Sequence, residues 1–193
     1  MSTVAGLVLA AGGGRRYGMP KALVEYEGGL LVERAVRTAQ AVCDPVLVVL
    51  GARAVDVWRE ARIDGAVVVA NRDWETGMAS SLRTGLDGLR GLPGQVDAAL
   101  VTLVDMPGMT PEALRAVAAH AARDALAIAT YDGVRGHPVL LGRDHWAGVA
   151  ATATGDEGAR RYLAAHDVTE VDCTGLADPT DLDVPPGGVA SEP

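Results

Sequence analysis

The stretch from Val4 to Lys21, Val-Ala-Gly-Leu-Val-Leu-Ala-Ala-Gly-Gly-Gly-Arg-Arg-Tyr-Gly-Met-Pro-Lys, constrains the fold more than any other part of the chain. Small and branched apolar residues run on and then give way to three glycines, the pattern of a buried strand feeding an anion-binding loop. Glycines let the backbone approach an anion closely and turn successive N–H groups toward it. Arg15, Arg16 and Lys21 add the positive charge that a polyphosphate demands. Two common loops are excluded. Gly13 and Gly18 have the Walker spacing, but Met19 stands where that loop needs lysine. A dinucleotide fingerprint needs glycine at positions 12, 14 and 17, and position 17 is Tyr.

The 193 residues fit one domain with a core of its own, expected over residues 1–186, with a disordered tail from Gly187. Seventeen basic residues against 25 acidic ones give a net charge of −8, which excludes a general nucleic-acid binder because a phosphate backbone needs a broad basic surface. The positive charge is local to the glycine loop. Cys43 and Cys173 have no metal-type spacing and read as free thiols of a reducing compartment. No secretory leader pattern and no apolar run of ~20 residues is seen, so the expectation is a cytoplasmic protein without a membrane partner.

Past Lys21 the pattern repeats strand, loop and helix. A helical face of Leu31, Val32, Ala35, Val36, Ala39 and Val42 spans about residues 30–42, and Val46 to Leu50 is an unbroken apolar run of a strand covered on both faces. A short helix from Val55 to Arg62 and a second buried strand from Ala66 to Ala70 follow. The polar loop from Asn71 to Leu82 then lies at a strand's carboxyl end, where open α/β sheets bind ligands, so Asn71, Gly77, Ser80 and Ser81 are placed to read a base or ribose. Ala98 to Val104 is the next buried strand and closes on Asp105-Met-Pro107. A lone carboxylate there, with the chain fixed by proline just after it, suits a hard divalent cation shared with phosphate oxygens. Thr110-Pro-Glu opens a helix expected to reach Ala122. Ala125 to Tyr131 and Gly136 to Leu141 flank Asp132-Gly133 as an antiparallel return. A helix from Arg143 to Val149, a flexible stretch at Ala150 to Thr154, a helix ending near His166 and a last strand from Val168 to Asp172 complete the reading. Alternating units of this kind predict an α/β fold with a mostly parallel central sheet and an antiparallel strand.

Five stretches in order resemble one family. They are Leu9 to Lys21; Asn71 with Trp74, Gly77-Met78 and Ser81-Leu82; Val-Asp-Met-Pro at 104–107; Gly-His-Pro-Val at 136–139; and Gly-Asp-Glu-Gly at 155–158. Together they look like the molybdenum cofactor cytidylyltransferases, within the wider MobA-like nucleotidyltransferases, over residue 4 to about 185. The resemblance implies a three-layer, Rossmann-like nucleotidyltransferase fold and transfer of CMP from CTP to the phosphate of molybdopterin, with pyrophosphate released. Magnesium, or manganese in its place, would be the cofactor, and a molybdenum enzyme would be met transiently as recipient of the product. Carried onto this sequence, Leu9, Ala10, Ala11, Gly12, Gly13 and Gly14 would hold the nucleotide, Arg16 and Lys21 would neutralise the triphosphate, and Asp105 would bind the metal. Ala11 resembles the CTP-using members, whereas GTP-using relatives tend to have glycine there. His137 and Asp156 are candidates for the acceptor side. In the tail, Asp181-Leu-Asp183-Val-Pro185 stands where such proteins commonly have Asp-x-Asp-Thr-Pro, which makes Asp183 the candidate second metal ligand despite the Val. Two other readings stay open at this point: nucleotidyl transfer to another small phosphorylated acceptor or from GTP, and a non-catalytic carrier of the cofactor.

Overall fold

The structure, a computed structural model, describes residues 2–182. Asp183 and the tail from Gly187 lie outside the described residues. In chain order the elements are β1 (Val4–Ala10), the two-residue hairpin strands β2 (Glu25–Tyr26) and β3 (Gly29–Leu30), α1 (Leu31–Gln40), β4 (Val46–Leu50), α2 (Ala54–Glu60) and β5 (Val67–Ala70). There follow α3 (Met78–Gly91), β6 (Ala98–Leu103), α4 (Pro111–Ala118), β7 (Leu126–Tyr131), β8 (Val134–Gly142), α5 (Trp146–Thr152), α6 (Arg160–Ala164) and β9 (Thr169–Asp172).

Seven strands form one sheet in the order β5-β4-β1-β6-β8-β7-β9. β1 is parallel to both β4 and β6, and β4 is parallel to β5. β8 runs antiparallel to both of its neighbours, β6 and β7, and β9 returns parallel to β7. The expected α/β fold, mostly parallel with one antiparallel strand, is what the chain adopts.

Strand periodicity sorts the core into two halves. On β1, Ala5, Leu7 and Leu9 face the side covered by α3, α5 and α6, while Val8 and Ala10 face the side covered by α1 and α4. Val46, Val48 and Leu50 on β4 join the second side; Leu47 and Val49 join the first. The helices answer with matching stripes, Leu31, Val32, Val36 and Ala39 on α1 and Leu82, Leu86 and Leu89 on α3, which completes three layers. α3 lies against the sheet so closely that a Cβ on Gly85 would fall 2.5 Å from Leu7 Cδ1.

Four expectations need correction. β5 is not buried on both faces: it is the sheet's edge strand, and Val67 is 38% exposed. Its valines signal β propensity, and sequence composition does not distinguish an edge from a centre. Residues 150–152 are not a flexible stretch, because α5 continues through Thr152, whose hydroxyl donates to the Gly148 carbonyl at 2.9 Å. The helix placed at Arg143 starts as a short 3-10 turn, with α5 proper beginning at the fully buried Trp146, which donates Nε1–H to the Leu141 carbonyl at 2.8 Å. α4 ends at Ala118 and not at Ala122. Its start is as read: Thr110 Oγ1 accepts from the Ala113 amide at 3.3 Å, with Pro111 at the first position.

Candidate functional site

The parallel strands β1, β4, β5 and β6 all end toward one edge of the sheet, and there the segments that leave β1, β5 and β6 line an open cleft of about 580 Å³. Parallel order causes this, since every such strand must exit on the same side.

The first wall is the loop after β1. Ala11 is pinned to the loop after β4 by the Ala52 amide, which donates to its carbonyl at 3.0 Å, and the Gly18 amide closes a turn on the Gly14 carbonyl at 2.8 Å. Gly14 has φ +63, and a Cβ there would fall 1.8 Å from the Met19 carbonyl oxygen, so the turn needs glycine. A Cβ on Gly12, in contrast, would meet nothing within 4 Å, because that backbone faces the open cleft. A Cβ on Gly13 would fall 2.8 Å from the Trp74 ring, which packs under the loop and also lines the cleft. Leu9, Ala11, Gly12, Gly13 and Gly14 all line the cleft, as do Arg15 and Arg16. Ala10 does not; its side chain is buried on the α1 side of the sheet.

The floor carries the chemistry. Lys21, at the start of a 3-10 turn after the glycines, reaches across to Asp105 at the end of β6, with Nζ–Oδ2 2.8 Å. Both side chains are largely withdrawn from solvent, 14% and 22% exposed. The Asp105 loop is held from two directions: Arg34 Nε donates to the Pro107 carbonyl at 2.6 Å, and the Leu182 amide donates to the Asp105 carbonyl at 2.8 Å.

Opposite stands the loop after β5. Asn71 is buried and gives both amide hydrogens away inside the protein, to Ser80 Oγ at 2.8 Å and Ser81 Oγ at 3.0 Å, while its Oδ1 accepts from the Asp73 amide at 2.9 Å. Asn71 and Ser80 therefore stand behind the wall; Gly77 and Ser81 line it. Asp156 comes from the loop before α6 and also lines the cleft, with Oδ1 accepting the Met78 amide at 3.1 Å at the start of α3. A carboxylate at that position meets the positive end of the helix.

His137 is not among the lining residues; it sits on β8, one strand beyond β6. Burial pushes its imidazole down to about 4, partly opposed by the Asp105 carboxylate and reinforced by the Arg160 guanidinium. It is neutral near pH 7. Tyr131 fixes the strand by donating its hydroxyl to the His137 carbonyl at 2.8 Å, and burial raises that hydroxyl to about 12, so it stays a donor. Cys43 and Cys173 are free and buried, and burial pushes the Cys43 thiol up to about 12, which removes it as a nucleophile. Glu75 and Thr76 line the cleft without having been singled out in the sequence. Their signal was weak, being only that they occupy loops at the carboxyl ends of strands.

Among the described residues no three His, Cys, Asp or Glu side chains gather into a metal site. Asp105 alone fits a magnesium ion that takes its remaining ligands from water and from substrate phosphates, the ordinary habit of that cation. No helix among the described residues is long and apolar enough to cross a membrane.

A strand, glycine loop, lysine and strand-end carboxylate of this geometry define a nucleotide-handling α/β protein. The chain belongs to the family of the MobA-like NTP transferase domain, which it matches over residues 6–171. It is 35% identical to nicotine blue oxidoreductase of Paenarthrobacter nicotinovorans over 191 residues, covering 93% of this chain and 92% of that one. To the molybdenum cofactor cytidylyltransferase of Escherichia coli K12 it is 24% identical over 144 residues, 74% of this chain and 72% of that one. The crystal structure of Rv0371c from Mycobacterium tuberculosis H37Rv superposes with a TM-score of 0.82 at 30% identity, covering 95% of this chain and 93% of that one. The manganese complex of that protein superposes with a TM-score of 0.78 at 28% identity and 94% coverage of each chain. As a member of this family the chain is a nucleotidyltransferase.

Proposed function

We propose that this protein transfers CMP from CTP to the phosphate of molybdopterin and releases pyrophosphate. The observation that carries the reading is the 2.8 Å Lys21–Asp105 pair set beside a glycine loop whose Gly12 face is open. A cation for phosphate and an acid for a divalent metal meet at one point. The similarity to the Escherichia coli cytidylyltransferase supports the choice of acceptor, and Ala11 supports the choice of CTP.

In this reading the backbone amides of Ala11 to Gly14 receive the triphosphate, and Lys21 and Arg16 neutralise it. Lys21 exchanges its partner Asp105 for phosphate oxygens when nucleotide enters. Gly77 and Ser81 bound the base and ribose, while Asn71 and Ser80 brace that wall from behind. An oxygen of the acceptor phosphate attacks the α-phosphorus; a new P–O bond forms as the α–β bridge breaks, and its electrons leave on pyrophosphate. The chain contributes position and charge, and no covalent protein intermediate is needed. Magnesium held by Asp105, or manganese as in the mycobacterial complex, would supply Lewis-acid neutralisation of the phosphates. Asp183 is the proposed second ligand. Cytidylated product would then pass to a molybdenum enzyme.

The test is incubation of α-labelled CTP with molybdopterin and magnesium, following both label and pyrophosphate. Label on the pterin with equimolar pyrophosphate is expected. Pyrophosphate release that ignores the pterin, or faster turnover with GTP, refutes the assignment. A second reading is favoured by the 35% identity to nicotine blue oxidoreductase, namely oxidoreduction with nicotine blue as substrate. Loss of nicotine blue absorbance when a two-electron donor is supplied, and no label transfer, would establish it instead.

A further inference from the structure

Lys21 and Asp105 belong to segments that leave different strands, and the first turn of α1 holds both segments. On the lysine side, the Val24 amide closes the 3-10 turn on the Lys21 carbonyl at 3.1 Å, and the Leu31 amide donates to the Val24 carbonyl at 2.9 Å. Leu23, Val24 and Leu31 are all buried there. On the acid side, the chain runs from Asp105 through the buried Met106 to Pro107, whose carbonyl accepts from Arg34 Nε at 2.6 Å. Proline has no amide with which to brace that turn, so its carbonyl is the handle left on it. The same guanidinium is tied to the hairpin between Lys21 and α1: Nη1 donates to Glu27 Oε2 at 2.9 Å, and its carbon lies 5.5 Å over the Tyr26 ring. Glu27 is 64% exposed, so the ion pair itself adds little stability. Its effect is to fix the direction in which Nε points.

We propose that Arg34 is a positioning residue for the divalent metal: through the Pro107 carbonyl it holds the Asp105 carboxylate in place to take the cation. This rests on the nucleotidyl-transfer reading and adds to it a residue that does not line the cleft yet sets the metal affinity of one that does. When a cation takes Asp105, the carboxylate gives up its 2.8 Å contact with Lys21. Its loop then depends on the tethers that remain, Arg34 on the Pro107 carbonyl and the Leu182 amide on the Asp105 carbonyl. Among the described residues no group of three His, Cys, Asp or Glu is at hand to replace a displaced Asp105. Groups that orient a metal ligand from behind govern affinity for this reason. Charge alone predicts the opposite effect. A guanidinium close to a metal site repels the cation, so by Coulomb's law its removal tightens metal binding. If Arg34 acts by holding the loop, its removal weakens binding, and the sign separates the two.

The test titrates manganese into the full chain and follows the free ion by electron paramagnetic resonance, with CTP affinity in the presence of chelator measured beside it by calorimetry. Arg34→Met keeps the aliphatic stem over Tyr26 and removes the donors; Arg34→Lys keeps one donor for the carbonyl. Manganese binding is expected to weaken about 10-fold in Arg34→Met and to be largely restored in Arg34→Lys, with metal-free CTP affinity and the far-ultraviolet circular dichroism those of the parent. The magnesium concentration for half-maximal turnover should rise by the same factor, with kcat at saturating magnesium little changed. Manganese affinity equal to or tighter than the parent's in Arg34→Met, an equal loss of CTP affinity, or no manganese bound by the parent overturns the role of Arg34. The nucleotidyl-transfer reading fails separately, as absence of label transfer by the parent, and the manganese comparison then still decides for or against Arg34.

Discussion

Lys21 and Asp105 are 84 positions apart in sequence and 2.8 Å apart in space. Each justifies the other's withdrawal from water, since a half-buried charge needs a counter-charge. The pair is poised for exchange, because a phosphate can take the lysine and a divalent cation the carboxylate. Lys21→Ala is expected to lower turnover by about 10²- to 10³-fold while the far-ultraviolet circular dichroism stays that of the parent. Turnover within a factor of a few of the parent would remove Lys21 from the reaction. His137 gives a second residue-scale expectation. In the unfolded chain an imidazole titrates near 6.5, and here it titrates at about 4. Between those values the unfolded state binds a proton that the folded state refuses, so acid weakens the fold as pH falls from about 6.5 to about 4, by at most about 3 kcal/mol. Urea unfolding of the metal-free protein at pH 7 and pH 5 should show this loss, and His137→Gln should flatten it. A variant as acid-sensitive as the parent would assign the effect elsewhere. The residues legible in the sequence were those whose chemistry is local: glycines before basic side chains, and an acid closing an apolar strand. The position of His137 behind Asp105 was not legible, because it depends on β8 pairing antiparallel to β6, with Val139 opposite Val101.

At the scale of elements, the loop after β5 and the first turn of α3 form one polar unit. Asn71 ties Ser80, Ser81 and Asp73 together, and Ser80 Oγ also lies 2.9 Å from the carbonyls of Asp73 and Gly77. No buried side-chain nitrogen or oxygen among the described residues is left without a partner. Asn71→Ala would take their partner from Ser81 Oγ and the Asp73 amide, while Ser80 keeps its two carbonyl acceptors, at a cost of about 1–3 kcal/mol in chemical denaturation. If Asn71 instead serves only as a ligand to the base, stability will hold and nucleotide affinity alone will fall. Read from sequence, Asn71 and Ser80 looked like ligand contacts because polar residues after a strand usually face the cleft. Burial is what separates a brace from a contact, and no local pattern reports it. The same gap hid the edge position of β5: three consecutive valines spell a strand, and only the sheet order shows which side is open.

At the scale of the molecule, one parallel half of the sheet supplies the cradle, and past the antiparallel β8 the chain returns to it through the loop before α6, which brings Asp156 to the cleft. This division was visible in outline, since the turn at Asp132-Gly133 interrupts the run of crossover units. What the sequence withheld was the return itself, which the 154–158 loop makes by docking on α3. The central claim is that both the loop after β1 and the acid after β6 grip one metal-bearing triphosphate. Thermal unfolding with and without CTP and magnesium tests it most directly. At ligand a hundredfold above its Kd the parent should gain about 2.7 kcal/mol, or a Tm rise of roughly 5–10 °C, with less from GTP. Asp105→Asn should lose the part of that rise that depends on magnesium. A parent whose Tm is indifferent to CTP, or an Asp105→Asn variant stabilised as much as the parent, would contradict the account.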